Sequence, residues 1–121
     1  MTEKDENKNK DVPFTAIILA AGKGTRMNSA LPKVLHPVAG KPMISRVIAS
    51  CKKAGVTDIR VVVGHGASLV KTVLEPEGVT FFEQKNQLGT ADAVRSAQPE
   101  SIEGNIIILN GDHRSEEYTS E

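Results

Sequence analysis

The stretch Ala16-Ile17-Ile18-Leu19-Ala20-Ala21-Gly22-Lys23-Gly24-Thr25-Arg26-Met27 decides how the chain is read. A short continuous apolar run is the mark of a strand buried on both faces of a parallel sheet. Here the run breaks into a glycine-rich turn, and basic residues follow at Lys23, Arg26 and Lys33. Gly22 and Gly24 carry no Cβ, so the backbone can turn tightly and approach a bulky anionic ligand. Backbone N–H groups in such a turn form an anion-binding hollow, and Arg26 and Lys33 add full charge. The stretch predicts a strand that ends in a triphosphate cradle.

Two common cradles do not fit. A dinucleotide fingerprint needs a third glycine where Met27 stands, and an acid after the second strand. The second strand expected at Ile59–Val63 runs into Gly64-His65-Gly66 instead. A P-loop needs Gly-Lys followed by Ser or Thr, whereas Gly22-Lys23 precedes Gly24 and Gly40-Lys41 precedes Pro42.

Outward from this stretch, strands and helices alternate. Phe14–Ala20 reads as the first strand and 21–31 as the loop. Pro32 stiffens the chain from which Lys33 emerges. Gly40-Lys41-Pro42 breaks the chain, with Pro42 suited to the first turn of a helix. Met43, Ile44, Val47, Ile48, Cys51 and Ala54 form one helical face, which makes Cys51 a core residue, and Gly55 ends the helix. After the second strand, Leu69, Val70, Val73 and Leu74 mark a second helix, closed by Glu75-Pro76-Glu77-Gly78. Val79–Phe82 is the third strand. Thr90–Gln98 is the third helix, with Thr90 as N-cap and Ala91, Val94 and Ala97 inward. Ile106–Leu109 is the fourth strand, ending in Asn110-Gly111-Asp112.

This alternation predicts an α/β fold with a mostly parallel sheet and right-handed crossovers. Ligands of such sheets sit beyond the carboxyl ends of the strands. The glycine loop, His65, Gln84 and Asp112 each follow a different strand, so they are expected to converge there.

Composition narrows the classes. The chain has 121 residues, 15 Lys+Arg against 15 Asp+Glu, and 3% aromatics. A balanced charge offers no field for nucleic acid or an acidic membrane, and so few aromatics argue against a base-stacking surface. Neither partner is expected. One cysteine excludes an internal disulfide and suits a reducing compartment. Residues 1–12 are charged, with almost nothing apolar, and read as a disordered tail. They contain no apolar signal region, and Ala16–Ala21 is too short to span a bilayer. The expected location is the cytoplasm. Zinc is disfavoured at His36 and His65, which have no Cys partner and no second His four residues on.

Five ordered segments, LAAGKGTRM, LPKVLHPVAGKPM, VVVGHG, QLGTADAV and the strand ending in NGD, resemble the sugar-nucleotide pyrophosphorylases. In detail they look like the amino-terminal part of the bacterial N-acetylglucosamine-1-phosphate uridylyltransferase family, from about Phe14 to Asp112. The resemblance implies a Rossmann-like nucleotidyltransferase three-layer sandwich, truncated after its fourth strand. It implies Mg²⁺-dependent uridylyl transfer from UTP to N-acetylglucosamine 1-phosphate, giving UDP-N-acetylglucosamine and pyrophosphate. Arg26 matches the family's catalytic arginine and Lys33 the lysine that contacts the phosphates of both substrates. Asp112 matches an aspartate that holds Mg²⁺, its alternative being a helix N-cap. Gln84, Gly89 and Thr90 match positions that recognise uracil, and Leu19, Ala20, Ala21 and Gly22 would add main-chain contacts to the nucleoside, with Gly24 in the same loop. Asn110 and Gly111 fall beside the sugar phosphate and metal.

The chemistry suits these residue types. A sugar phosphate is largely dianionic near neutral pH and needs no general base. The obstacle is the meeting of two polyanions, which Arg, Lys, backbone N–H groups and a metal-holding carboxylate relieve. Lys23 has either a ligand or a solvent role, and Lys41 reads as a surface residue. A cytidylyltransferase or a non-catalytic nucleotide-binding fragment are the other readings.

After Asp112 the family continues with an apolar, Pro-Leu-containing segment, where 113–121 is polar, a change of character such as a shifted reading frame produces. The organisation expected is a tail at 1–12, about the first half of the pyrophosphorylase domain at 13–112, and an atypical polar end at 113–121. The later metal-binding asparagine and the trimerising C-terminal domain lie outside it. A half-site lacks the positioning that makes transfer effectively intramolecular, so slow turnover by the chain alone is expected.

Overall fold

The computed structural model describes residues 13–21, 32–64, 67–85 and 89–112. Gly22, Lys23, Gly24, Arg26, His65 and His113 lie outside the described residues. In chain order the elements are strand β1 (Phe14–Ala20), a 3₁₀ turn at Lys33–Leu35, strands β2 (Pro37–Val38) and β3 (Lys41–Pro42), and helix α1 (Met43–Lys53). Strand β4 (Asp58–Gly64), helix α2 (Ser68–Leu74), strand β5 (Thr80–Gln84), helix α3 (Thr90–Ser96) and strand β6 (Asn105–Asn110) follow.

The four long strands form one sheet in the order β5-β4-β1-β6, and every neighbouring pair is parallel. The apolar run of the opening stretch thus becomes an inner strand. Ala16, Ile17 and Ile18 are all fully buried because both faces of β1 are covered. On one face α1 and α2 set Ile44, Val47, Ile48, Val70 and Leu74 against Ile18, Val61 and Val63. On the other, Ala93 of α3 and its C-cap residue Ala97 cover Ile17 and Val62. The result is an α/β fold with the parallel sheet that the alternation predicts, in the three layers that the family resemblance implies.

Cys51 lies in the α1 stripe as expected, and burial pushes its thiol pKa up. Ala54 does not: it is the exposed C-cap of α1, where the helix ends before the next inward position. Pro42 is not in the first turn but caps α1 as the last residue of β3, with the extended ψ of 144°. The β2–β3 hairpin, absent from the sequence reading, turns through Ala39 and Gly40, both at positive φ (53° and 87°), the backbone that tight hairpin turns require. Arg46 of α1 pins it, donating from Nε to the Val38 carbonyl at 2.6 Å and from Nη2 to the Ala39 carbonyl at 3.0 Å.

In α2 only Val70 and Leu74 face the core, while Leu69 and Val73 are exposed. The third helix is shorter than expected, ending at Ser96; Ala93, Val94 and the C-cap Ala97 pack inward, while Ala91 is exposed. Its N-cap is Gly89 and not Thr90: at φ 106° and ψ −178° Gly89 adopts a backbone open to glycine alone. Among the described residues no helix is long and apolar enough to cross a membrane.

Candidate functional site

The parallel sheet brings the carboxyl ends of its four strands to one edge, and two groups of sequence-predicted residues stand there. The first joins the ends of β1 and β6. Gly111 follows β6 and donates its backbone N–H to the Leu19 carbonyl at 2.9 Å. A Cβ on Gly111 would sit 3.2 Å from Ile44 Cδ1, from Val34 Cγ1 and from that same carbonyl, so the glycine is needed for close approach. This contact carries Asp112 over the end of β1.

Lys33 reaches the same place by a separate route. Its 3₁₀ turn is anchored by Val34 and Leu35, both buried in the core under α1, and by backbone bonds from Leu35 to Pro32 and from His36 to Lys33. The two tethers put Lys33 Nζ 3.3 Å from Asp112 Oδ2, with both side chains open to solvent. A cation and an acid that the sequence separates by most of the chain thus share one exposed spot. Exposed ion pairs of this kind add little to stability.

The second group lies at the end of β5. Gln84 is the last residue of that strand and is buried, an unusual setting for a glutamine. Its Nε2 donates to the Gly89 carbonyl at 3.2 Å and to Asp92 Oδ2 at 2.8 Å. Gln84 and Gly89 therefore meet directly, while Thr90 is exposed at the start of α3. Space around Gly89 is open, so its conformation and not crowding demands glycine there.

Of the remaining residues, Leu19, Ala20 and Ala21 form the end of β1, with Ala20 and Ala21 buried. The Leu19 carbonyl is already taken by Gly111, so Leu19 positions the Asp112 turn. Asn110 is exposed at the end of β6.

Two residues escaped the sequence reading. Asp92 sits in the first turn of α3, an ordinary place for an acid beside the helix dipole, and its side chain also faces Arg95 Nη2 at 3.6 Å. Arg60 donates from Nη1 to the Ala97 carbonyl at 2.7 Å, the Gln98 carbonyl at 3.1 Å and Ser101 Oγ at 3.0 Å. Its guanidinium also lies 5.4 Å from the centre of the Phe82 ring. It thereby ties the carboxyl end of α3 to the sheet. Only a lone charge inside an apolar strand hinted at Arg60 in the sequence.

A divalent cation fits one of these spots. Among the described residues no group of three or more His, Cys, Asp or Glu forms a metal cage. Mg²⁺, however, takes one or two carboxylates and fills its remaining positions with phosphate oxygens and water. Asp112, a hard oxygen donor at an exposed turn, suits a cation that arrives with a phosphate ligand.

Known proteins align with this arrangement. The chain is similar to bifunctional protein GlmU of Bdellovibrio bacteriovorus, with 64% identity over 100 residues covering 83% of this chain and 22% of that protein. It is also 50% identical to bifunctional protein GlmU of Pseudomonas aeruginosa over 96 residues, covering 79% of this chain and 21% of that one. The chain thus spans about a fifth of the length of these curated relatives. Among solved structures, the CTP:phosphocholine cytidylyltransferase of Streptococcus pneumoniae superposes with a TM-score of 0.70 at 28% identity, over 84% of this chain and 46% of that one. Residues 16–114 match the MobA-like NTP transferase domain. With its parallel sheet, its carboxyl-edge site and that match over most of its length, the chain belongs to the MobA-like NTP transferase domain family.

Proposed function

We propose that the chain holds the nucleotide side of a Mg²⁺-dependent uridylyl transfer from UTP to N-acetylglucosamine 1-phosphate. The observation that carries this reading is the convergence of Lys33 with Asp112 at one end of the strand row and of Gln84 with Gly89 at the other. Three inter-strand spacings separate β5 from β6, roughly 14 Å. A ligand that engages both groups is therefore extended across the strand ends, base towards β5 and phosphates towards β1 and β6. A small anion engages only one of them.

In this reading a phosphate oxygen of the sugar phosphate attacks the α-phosphorus of UTP. The bond from that phosphorus to the bridging oxygen breaks, and pyrophosphate leaves with the electron pair. No proton has to be removed from the nucleophile. Lys33 neutralises and orients the phosphates, and Arg26, from its place in the glycine-rich loop, stabilises charge gathering on the pyrophosphate. Mg²⁺ bound through Asp112 would supply further charge neutralisation on the phosphate oxygens. Gln84, Gly89 and Thr90 face the base, Leu19 to Gly22 and Gly24 the nucleoside and phosphates, and Asn110 and Gly111 the sugar phosphate. Residues 13–112 act as the nucleotide-binding half of such a domain, in the cytoplasm.

A cytidylyl transfer is the second reading, favoured by the likeness to the cytidylyltransferase. The far higher identity to GlmU supports the uridylyl reaction over it. Calorimetric titration with UTP and with CTP in the presence of Mg²⁺ separates them. UTP is expected to bind more tightly, and the heat is expected to vanish in Lys33→Ala. Tighter CTP binding would replace the uridylyl reading with the cytidylyl one, and absence of binding by either nucleotide would overturn both.

A further inference from the structure

The geometry points to Asp92 as the positioning residue that decides which nucleobase Gln84 accepts; this deepens the nucleotide-site reading above and rests on it. Gln84 is 3% exposed, and its amide nitrogen faces two oxygens, Asp92 Oδ2 at 2.8 Å and the Gly89 carbonyl at 3.2 Å. A primary amide has two N–H donors and one acceptor oxygen, so both donors are spent. A carboxylate and a backbone carbonyl only accept. Turning the amide over would set Oε1 against two oxygens, which fixes its polarity.

The group left for a ligand is thus Oε1, an acceptor. Among the described residues nothing donates to it, and a buried acceptor is costly to leave unpaired. Its complement on a base edge is an N–H donor, and at the ring atom N3 the two pyrimidines differ. Uracil carries one at N3, whereas cytosine has a lone pair at that atom. The Asp92 bond is the shorter of the two and is charge-assisted, so it is the stronger hold on the amide. Asp92 touches no substrate in this account. It acts through Gln84 and selects a uracil-type edge over a cytosine-type edge.

Asp92→Asn tests this, because an asparagine amide can also donate. It can receive Gln84 turned over, with Nε2 presented to the base. Gly89 still favours the original orientation, so the change is partial. The ratio of CTP to UTP dissociation constants, measured with Mg²⁺ present, is expected to fall about fivefold or more, within the range that base-edge hydrogen bonds discriminate. Asp92→Glu keeps an acceptor and should retain most of the preference. An unchanged ratio in Asp92→Asn, beside a wild type that binds UTP, would overturn the role of Asp92 and leave the nucleotide site standing. A wild type that binds neither nucleotide would overturn both. A second measurement needs no variant. The side-chain amide protons of Gln84 should exchange with solvent far more slowly than those of exposed Gln98. Equal exchange would show that the amide is not held, and would overturn the inference.

Discussion

The two faces of the sheet are built to different standards. Beneath α1 and α2, Ile18, Val61 and Val63 are fully buried by long aliphatic side chains such as Ile44, Ile48 and Leu74. On the opposite face α3 offers mainly Ala93 and Ala97, and towards the sheet edge Ile106 and Ile108 are 40% and 49% exposed. The first face is closed by the larger apolar cluster, and the second joins a smaller one, with Leu19, Phe82, Val94 and Ile102 at its margin, to the polar contacts of Arg60. The first face therefore sets stability. Residues that would read a base lie on the lighter, more easily opened side, where ligand-responsive segments are generally found.

The largest effect expected from this contrast comes from paired truncations. Ile48→Ala should cost about 2–5 kcal/mol in urea unfolding, while Ile108→Ala should stay within about 0.5 kcal/mol. Equal losses would erase the distinction between the faces. Arg60→Ala leaves the carbonyls of Ala97 and Gln98 without their donor and should cost about 1–3 kcal/mol. Amide exchange should then rise in α3 before it rises in α1, and a uniform rise would argue that the second face is not a separate weak unit. Gly111→Ala places a methyl 3.2 Å from three neighbours and should cost about 1–3 kcal/mol. Because Val34 is one of those neighbours, the variant should also weaken nucleotide binding. Lys33→Ala should cost under about 1 kcal/mol of stability because the ion pair is exposed, although UTP binding should be lost. A large stability loss there would make Lys33 a structural residue.

The two faces also differ in how far they could be read beforehand. Buried strands and the α1 stripe announce themselves by local periodicity, and β1 begins and ends at the residues expected. The sheet's carboxyl edge follows from alternation, which is why Gln84 and Asp112 could be placed there in advance, whereas Lys33 and Gly89 are marked by the charge after the glycine loop and by the family resemblance. What escaped rests on long-range or backbone terms. Arg60 meets partners 37 to 41 residues away, which no local pattern encodes. Ala39 takes a left-handed φ of 53°, a conformation for which alanine gives no signal. Thr90 has the chemistry of a cap, but the unusual φ of Gly89 moves the helix start by one residue. Asp92 looks like an ordinary helix-start acid until the fold sets β5 beside it.

Hydrogen exchange mapped residue by residue, with and without UTP and Mg²⁺, tests the central claim most directly. A nucleotide bound across the strand ends should slow exchange at Gln84, in Gly89–Ala93 and at Gly111, and leave α1 and α2 as they were. Protection confined to α1 and α2, or none anywhere, would contradict a nucleotide site at the carboxyl edge of this sheet.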